Sequence, residues 1–247
     1  MPVAVFTHPD CLRHDPGPDH PETPERLRVL LERLRREPAA AIREAPPAPR
    51  EALLAVHPER YLRIVEELSA RGGGALFLDT VTNDASWAAA LGAAGAVLAG
   101  VEHAHAGRGH AFAAVRPPGH HALAATGMGF CLLANAVIGA RHAQRLGRER
   151  VLIVDWDVHH GNGTQALVER DPTVRYVSLH RWPWYPGTGA ADERGVGNVF
   201  KVPRGPGRPP ALYVEDLWAA IVAATTEWTP ALVLVSAGFD SMRGDPL

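Results

Sequence analysis

The sequence has almost no lysine: Lys201 is the only one among 25 basic residues, which face 27 acidic residues for a formal net charge of -2. The basic residues form no long run, so the chain carries no electrostatic footprint for nucleic acid or for an anionic membrane surface. Cysteine is scarce too. Cys11 and Cys131 are the only two; they make no disulfide framework, which fits a reducing, cytoplasmic compartment. The first residues, MPVAVFTHPD, lack a basic segment leading into an apolar one, so no signal peptide is expected. The longest apolar runs are alanine-rich, broken by glycine and read as too short to span a bilayer. Neither an internal repeat nor a composition shift marks a second domain. The 247 residues are expected to form one α/β domain with a sizeable core.

What the chain does have is concentrated in one stretch, VLIVDWDVHHGNG, from 151 to 163. Val151 to Val154 form a continuous apolar run, the pattern of a strand buried on both faces of a parallel sheet. Asp155, Asp157, His159, His160 and Asn162 then crowd its end. Alternate residues of an extended chain point one way, so Asp157 and His159 are expected to reach one point from one face. A carboxylate and an imidazole two residues apart make a metal-ligand pair. Gly161 and Gly163 are expected to let the backbone turn sharply away.

The rest of the chain is read around that centre. Val3 to Phe6 reads as a first strand, and Thr23 as the N-cap of a helix opened by Pro24 and running to about Arg36. Spacing alone places His20 and Arg26 on the surface. A proline-rich linker over 37–50 precedes a helix near Glu59 to Ala70, a flexible break over 71–74, and an alanine- and glycine-rich helix from Ser86. Ala111 to Val115 is a strand candidate ended by Pro117 and Pro118, which places His120 and His121 at its end. A helix over Asn135 to Leu146 leads back to the centre. Val174 to Leu179 is a strand feeding the aromatic loop HRWPWYPGTG, whose Trp182, Trp184 and Tyr185 are expected at a pocket mouth. Leu212 to Thr226 reads as a helix and Ala231 to Ser236 as the last strand, with Asp240 just beyond it. Parallel strands gather such ends along one edge, where ligands bind. Asp157, His159 and Asp240 would then complete a three-ligand site with a position open for water.

The blocks RPPGHHA, GFC, DWDVHHGNGTQ, VSLHR, YPGTG and AGFDSMRGDPL, in this order, resemble the histone deacetylase superfamily, with its acetoin-utilisation proteins and acetylpolyamine amidohydrolases. HPETPERL and the Asn of HHGNG resemble its class II branch. The resemblance implies a three-layer, arginase-like α/β fold with a central parallel sheet and one catalytic zinc on Asp157, His159 and Asp240. It implies His120 and His121 as the tandem histidines, with Asp155 the partner of the first and Asn162 of the second. Phe130 and Tyr185 match the walls of an acyl-lysine tunnel beside Gly129, and Leu247 its rim. Arg26 matches an arginine lining an internal cavity, and Asp79 a residue that holds the substrate backbone. A structural potassium ion on Asp155, Asp157, His159, Ser178 and Leu179 is also implied. A later glycine-rich segment of the family, carrying a Tyr or His that stabilises the oxyanion, has no counterpart here. The chain is therefore expected to be a fragment of little or no activity.

The chemistry can be argued from the residues. Amide hydrolysis needs an activated water, a stabilised oxyanion and a proton for the leaving amine. Zinc brings a bound water to a pKa of about 7, and a neutral histidine beside it can move the protons. Asp155 should make His120 the more basic of the pair, whereas the uncharged Asn162 leaves His121 as the shuttle. The expected activity is deacetylation of an acetylated lysine peptide or a related acetylated small amine, with oligomeric state left open. The competing readings are a binuclear manganese ureohydrolase and a non-catalytic acyl-lysine-binding module.

Overall fold

Short apolar runs become the strands of two parallel sheets, and amphipathic or small-residue helices cover their faces. The structure, a computed structural model, describes residues 2–246. One sheet contains β1 (Val3–Thr7), β2 (Ala40–Glu44) and β5 (Ala111–Ala113), in the order β2-β1-β5. The other contains β6 (Val151–Asp155), β7 (Val174–Arg181), β8 (Val199–Arg204) and β9 (Leu232–Ser236), in the order β8-β7-β6-β9. All five residues of β6 are buried, as its unbroken apolar run predicts. β6 lies between β7 and β9 with Asp155 beside both Ser178 and Ser236. β6 and β9 thus finish level, while β7 runs on to Arg181 beside β8, and the loops after β6 and β9 emerge together.

The helices are α1 (Pro24–Arg35), α2 (Arg50–Leu54), α3 (Glu59–Ala70), α4 (Ser86–His105), α5 (Asn135–Arg145), α6 (Asn162–Val168) and α7 (Pro210–Thr225). α4 is the expected small-residue helix, and its glycines explain how closely it packs. A Cβ at Gly95 would lie 1.9 Å from the Pro46 carbonyl oxygen. One expectation needs correcting here: α4 is, by length and composition, long and apolar enough to cross a membrane. In this fold more than half of that stretch is buried, as a core helix against β1, β5 and α5.

Further elements differ from the sequence reading, the short helix α2 among them. β2 lies inside the expected linker, paired in parallel with β1. The expected flexible break opens an antiparallel hairpin of β3 (Gly73–Phe77) and β4 (Thr80–Asn83). β8 and α6 were not anticipated. Thr23 does flank α1, but its side chain makes no capping bond. α7 packs over Leu152, Val154 and Val177, yet the neighbouring Val233 and Val235 of β9, in register with Leu152 and Val154, remain 49% and 45% exposed.

Candidate metal centre and active site

After Asp155 the chain bends rather than running on extended. The Asp157 carboxylate accepts the His159 N–H at 2.8 Å, a turn of the kind short acidic side chains favour. The strand-alternation argument for Asp157 and His159 is therefore corrected: a turn brings them together. Asp240 arrives from the loop after β9, where its Oδ1 accepts the Val158 N–H at 2.9 Å. Gly238 permits that approach, since a Cβ there would lie 2.2 Å from Asp157 Oδ2. His159 Nδ1 sits 3.0 Å from Asp157 Oδ1 and 2.9 Å from Asp240 Oδ2. One ligand atom from each of the three residues lies within 4.8 Å of the others. Two carboxylates and an imidazole suit a divalent cation whose charge they balance. The electrostatics agree: burial opposes a charge on His159, but Asp157 and Asp240 outweigh it and raise its pKa to about 9.

Gly161 and Gly163 serve close approach rather than an unusual turn. Gly161 has an ordinary φ of -75, but a Cβ there would lie 2.3 Å from Asp155 Oδ2 and 2.5 Å from the Tyr176 hydroxyl. Asp155 is fully buried. Its Oδ2 accepts the Tyr176 hydroxyl at 2.9 Å and meets His120 Nδ1 at 3.1 Å, while Oδ1 accepts the Asp157 N–H at 3.2 Å. The strand pattern over Val174 to Leu179 gives no sign of this role for Tyr176.

His120 and His121 follow Pro117, Pro118 and Gly119 as expected, their ring centroids 3.9 Å apart. Burial resists protonation of His120, but Asp157 and then Asp155 raise its pKa to about 9. Burial, reinforced by the charge of His120, pushes His121 far the other way. His121 Nδ1 lies 2.7 Å from Asn162 Oδ1, and the Asn162 amide points its nitrogen at Met128 Sδ, 3.4 Å away. Asn162 can therefore only accept from His121, which places the proton on Nδ1 and leaves Nε2 free.

His120, His121, Asp157, His159 and Asp240 open onto a cleft of about 1620 Å³ that is also lined by Asp79, Gly129, Phe130, Trp184 and Tyr185. Trp184 and Tyr185 stand at the cleft as expected, whereas Trp182 is not among its lining residues. Arg26 lines the same cleft from α1, with its own side largely exposed. Ser178 is buried beside Asp155 and binds His180 Nδ1 at 2.9 Å, and Leu179 is buried next to it. Leu247 lies outside the described residues. His20 is not mere surface: its Nε2 is 3.2 Å from the Asp79 carbonyl oxygen and its ring packs edge-on to Phe130 at 4.6 Å. The four tyrosine hydroxyls, at 61, 176, 185 and 213, are bound to the Leu132 carbonyl, Asp155, Asp79 and the Trp156 carbonyl.

Residues 20–247 match the histone deacetylase domain. The chain belongs to the histone deacetylase family. A histone deacetylase-like amidohydrolase of Pseudomonas aeruginosa is 39% identical, over 100% of this chain and 66% of its own length. The crystal structure of the HDA15 HD domain superposes with a TM-score of 0.94 at 38% identity, covering 99% of this chain and 76% of that one. An acetylpolyamine aminohydrolase from Burkholderia pseudomallei gives a TM-score of 0.88 at 28% identity, covering 99% of this chain and 84% of the other. The fold is thus the deacetylase-like α/β arrangement with parallel sheets, and the family supports a deacetylase, an amide hydrolase.

Proposed function

We propose that the protein is a zinc-dependent amidohydrolase that removes the acetyl group from an acetylated lysine side chain or a related acetylated alkylamine. The observation that carries this reading is the donor triad of Asp157, His159 and Asp240, which opens on the same cleft as two adjacent histidines of opposite basicity. Zinc on that triad would polarise the acyl carbonyl and supply a water of pKa about 7. Asp155, held by Tyr176, fixes His120 through Nδ1 and points its Nε2 toward Asp157 Oδ1, 3.8 Å away. Oriented in this way, His120 presents its Nε2 to the metal site, where it can hydrogen-bond the attacking water or the acyl oxygen. His121, neutral with Nε2 free, takes a proton from the attacking water and returns it to the nitrogen of the leaving amine. A structural potassium ion near Asp155, Ser178 and Leu179 belongs to the same proposal.

The test is a panel of acetyl-lysine peptides, acetylpolyamines and trifluoroacetyl-lysine, each assayed for acid release with added zinc and with a hydroxamate control. Hydroxamate-sensitive release by the wild type, at least about 10²-fold lower in His121→Ala, supports the reading. Binding of acetyl-lysine without release from any panel member would favour the non-catalytic module instead.

A further inference from the structure

Asp79 sits in the turn of the β3–β4 hairpin, and its carboxylate reaches two separate loops of the site. Oδ1 accepts the Gly129 N–H at 3.0 Å and the Thr80 hydroxyl at 2.9 Å. The Thr80 oxygen in turn accepts the Phe130 N–H at 3.0 Å. Oδ2 accepts the Tyr185 hydroxyl at 2.7 Å. Gly129 and Phe130 have φ values of 54 and 66, the left-handed region that a bulky residue such as Phe adopts only under constraint. A Cβ at 129 would lie 2.2 Å from His121 Cδ2, so the turn that Asp79 pins presses directly on a catalytic histidine. Tyr185 comes from the loop after β7, with its ring edge-on to His121 at 5.1 Å and to His159 at 5.9 Å. One side chain therefore ties the Gly129–Phe130 turn to the Tyr185 loop, and the tie needs the tyrosine hydroxyl.

We propose that the Asp79–Tyr185 hydrogen bond is a latch that sets the width of the acyl-amine slot, with Asp79 its positioning residue and Tyr185 its specificity determinant for slim, unbranched chains. This deepens the deacylase reading and rests on it. It also separates two roles for Asp79. Three of its four acceptor positions already serve the protein, so its main action is on the walls rather than on a substrate backbone. A Phe at 185 keeps the ring but removes the donor, loosening the walls while freeing Oδ2. The wall role predicts broader linker tolerance in that variant; the substrate-gripping role predicts better binding of peptide ligands.

The experiment uses the zinc-loaded full chain as wild type, Tyr185→Phe, Asp79→Ala and Asp79→Asn. The probes are two hydroxamates without any amide at the rim, one on an unbranched alkyl linker and one on a bulky branched linker. Affinities are read by displacement titration, and amide hydrogen exchange is followed at Gly129 and Phe130. We expect Tyr185→Phe and Asp79→Ala each to lower the slim-over-bulky preference at least fivefold, mainly through gain by the bulky ligand. Asp79→Asn should keep most of the preference, since its amide can still accept from Gly129 and donate to the Tyr185 oxygen. An unchanged preference between these two amide-free hydroxamates in both Tyr185→Phe and Asp79→Ala overturns the latch. If zinc-loaded wild type binds neither hydroxamate, the deacylase reading fails and exchange alone decides the latch. Faster exchange at Gly129 and Phe130 in Asp79→Ala then supports it, and unchanged exchange overturns it.

Discussion

Replacing Tyr176 with Phe tests how the buried carboxylate at the end of β6 is held. Tyr176 and Asp155 are both fully buried, and the hydroxyl donates to Asp155 Oδ2 at 2.9 Å. The substitution keeps the ring and its packing in the main core but deletes one charge-assisted hydrogen bond. Bonds of this kind contribute about 1.5–3 kcal/mol, and here the carboxylate left behind cannot recruit bulk water. His120 remains on the same oxygen, so the loss should fall within that range rather than reach the cost of an unpaired buried charge. For a chain of this size each kcal/mol moves the melting temperature by about 2–4 °C, which gives an expected fall of about 3–12 °C. Urea unfolding of the two proteins with matched metal loading measures the same quantity through the midpoint at constant slope. A difference under about 0.5 kcal/mol would refute the reasoning and mean that Asp155 does not depend on Tyr176.

Gly161→Ala should drive the Asp155 carboxylate away from His120, because the new Cβ would meet Asp155 Oδ2 at 2.3 Å and His120 Nδ1 at 3.1 Å. Overpacking of this kind costs about 1–3 kcal/mol, and the urea midpoint should fall accordingly; an unchanged midpoint counts against the tight approach. Arg116→Met should destabilise by about 3–5 kcal/mol, since buried Arg116 donates to Glu22 and to the Cys11 and His14 carbonyls. A variant unfolding at wild-type urea would show that this network carries no net stability. Acid should destabilise the fold through His14, whose pKa burial and then Arg116 lower from 6.5 to about 3. Between those two values the unfolded chain binds the proton and the folded one does not. The neutral His14 is accommodated above pH 6.5, and stability is lost as pH falls from 6.5 toward 3, at up to about 1.4 kcal/mol per pH unit. Urea midpoints at pH 7.5 and 5 measure the slope, and a His14→Gln variant with an equally steep slope would contradict the assignment.

The strands around the site were legible because burial on both faces leaves a continuous apolar run, as in Val151 to Val154, and because Pro117 and Pro118 can only end a strand. The tandem histidines and the three metal-ligand candidates were legible for a related reason: polar groups at strand ends are few and dense. β2 was hidden because AAIRE carries no alternation and is buried only in part. The β3–β4 hairpin was hidden because glycine at 72 to 74 marks flexibility and a tight pairing equally well. A Cβ at Gly73 would lie 2.1 Å from the Thr82 carbonyl oxygen, so the glycine is there for the pairing. The roles of Tyr176, His20 and Thr80 depend on contacts between residues far apart in the chain, which periodicity does not register. The turn at Asp157 was misread for a smaller reason: spacing of two suits both a strand and a short acidic turn, and only the hydrogen bond to the His159 N–H separates them.

The central claim is that Asp157, His159 and Asp240 hold one catalytic zinc. The protein is loaded with equimolar zinc and manganese, dialysed against a mild chelator and analysed for metal content, alongside Asp157→Ala. The account predicts one zinc per chain in the wild type and greatly reduced zinc in the variant. Two manganese ions per chain, or stoichiometric zinc retained by Asp157→Ala, would contradict it.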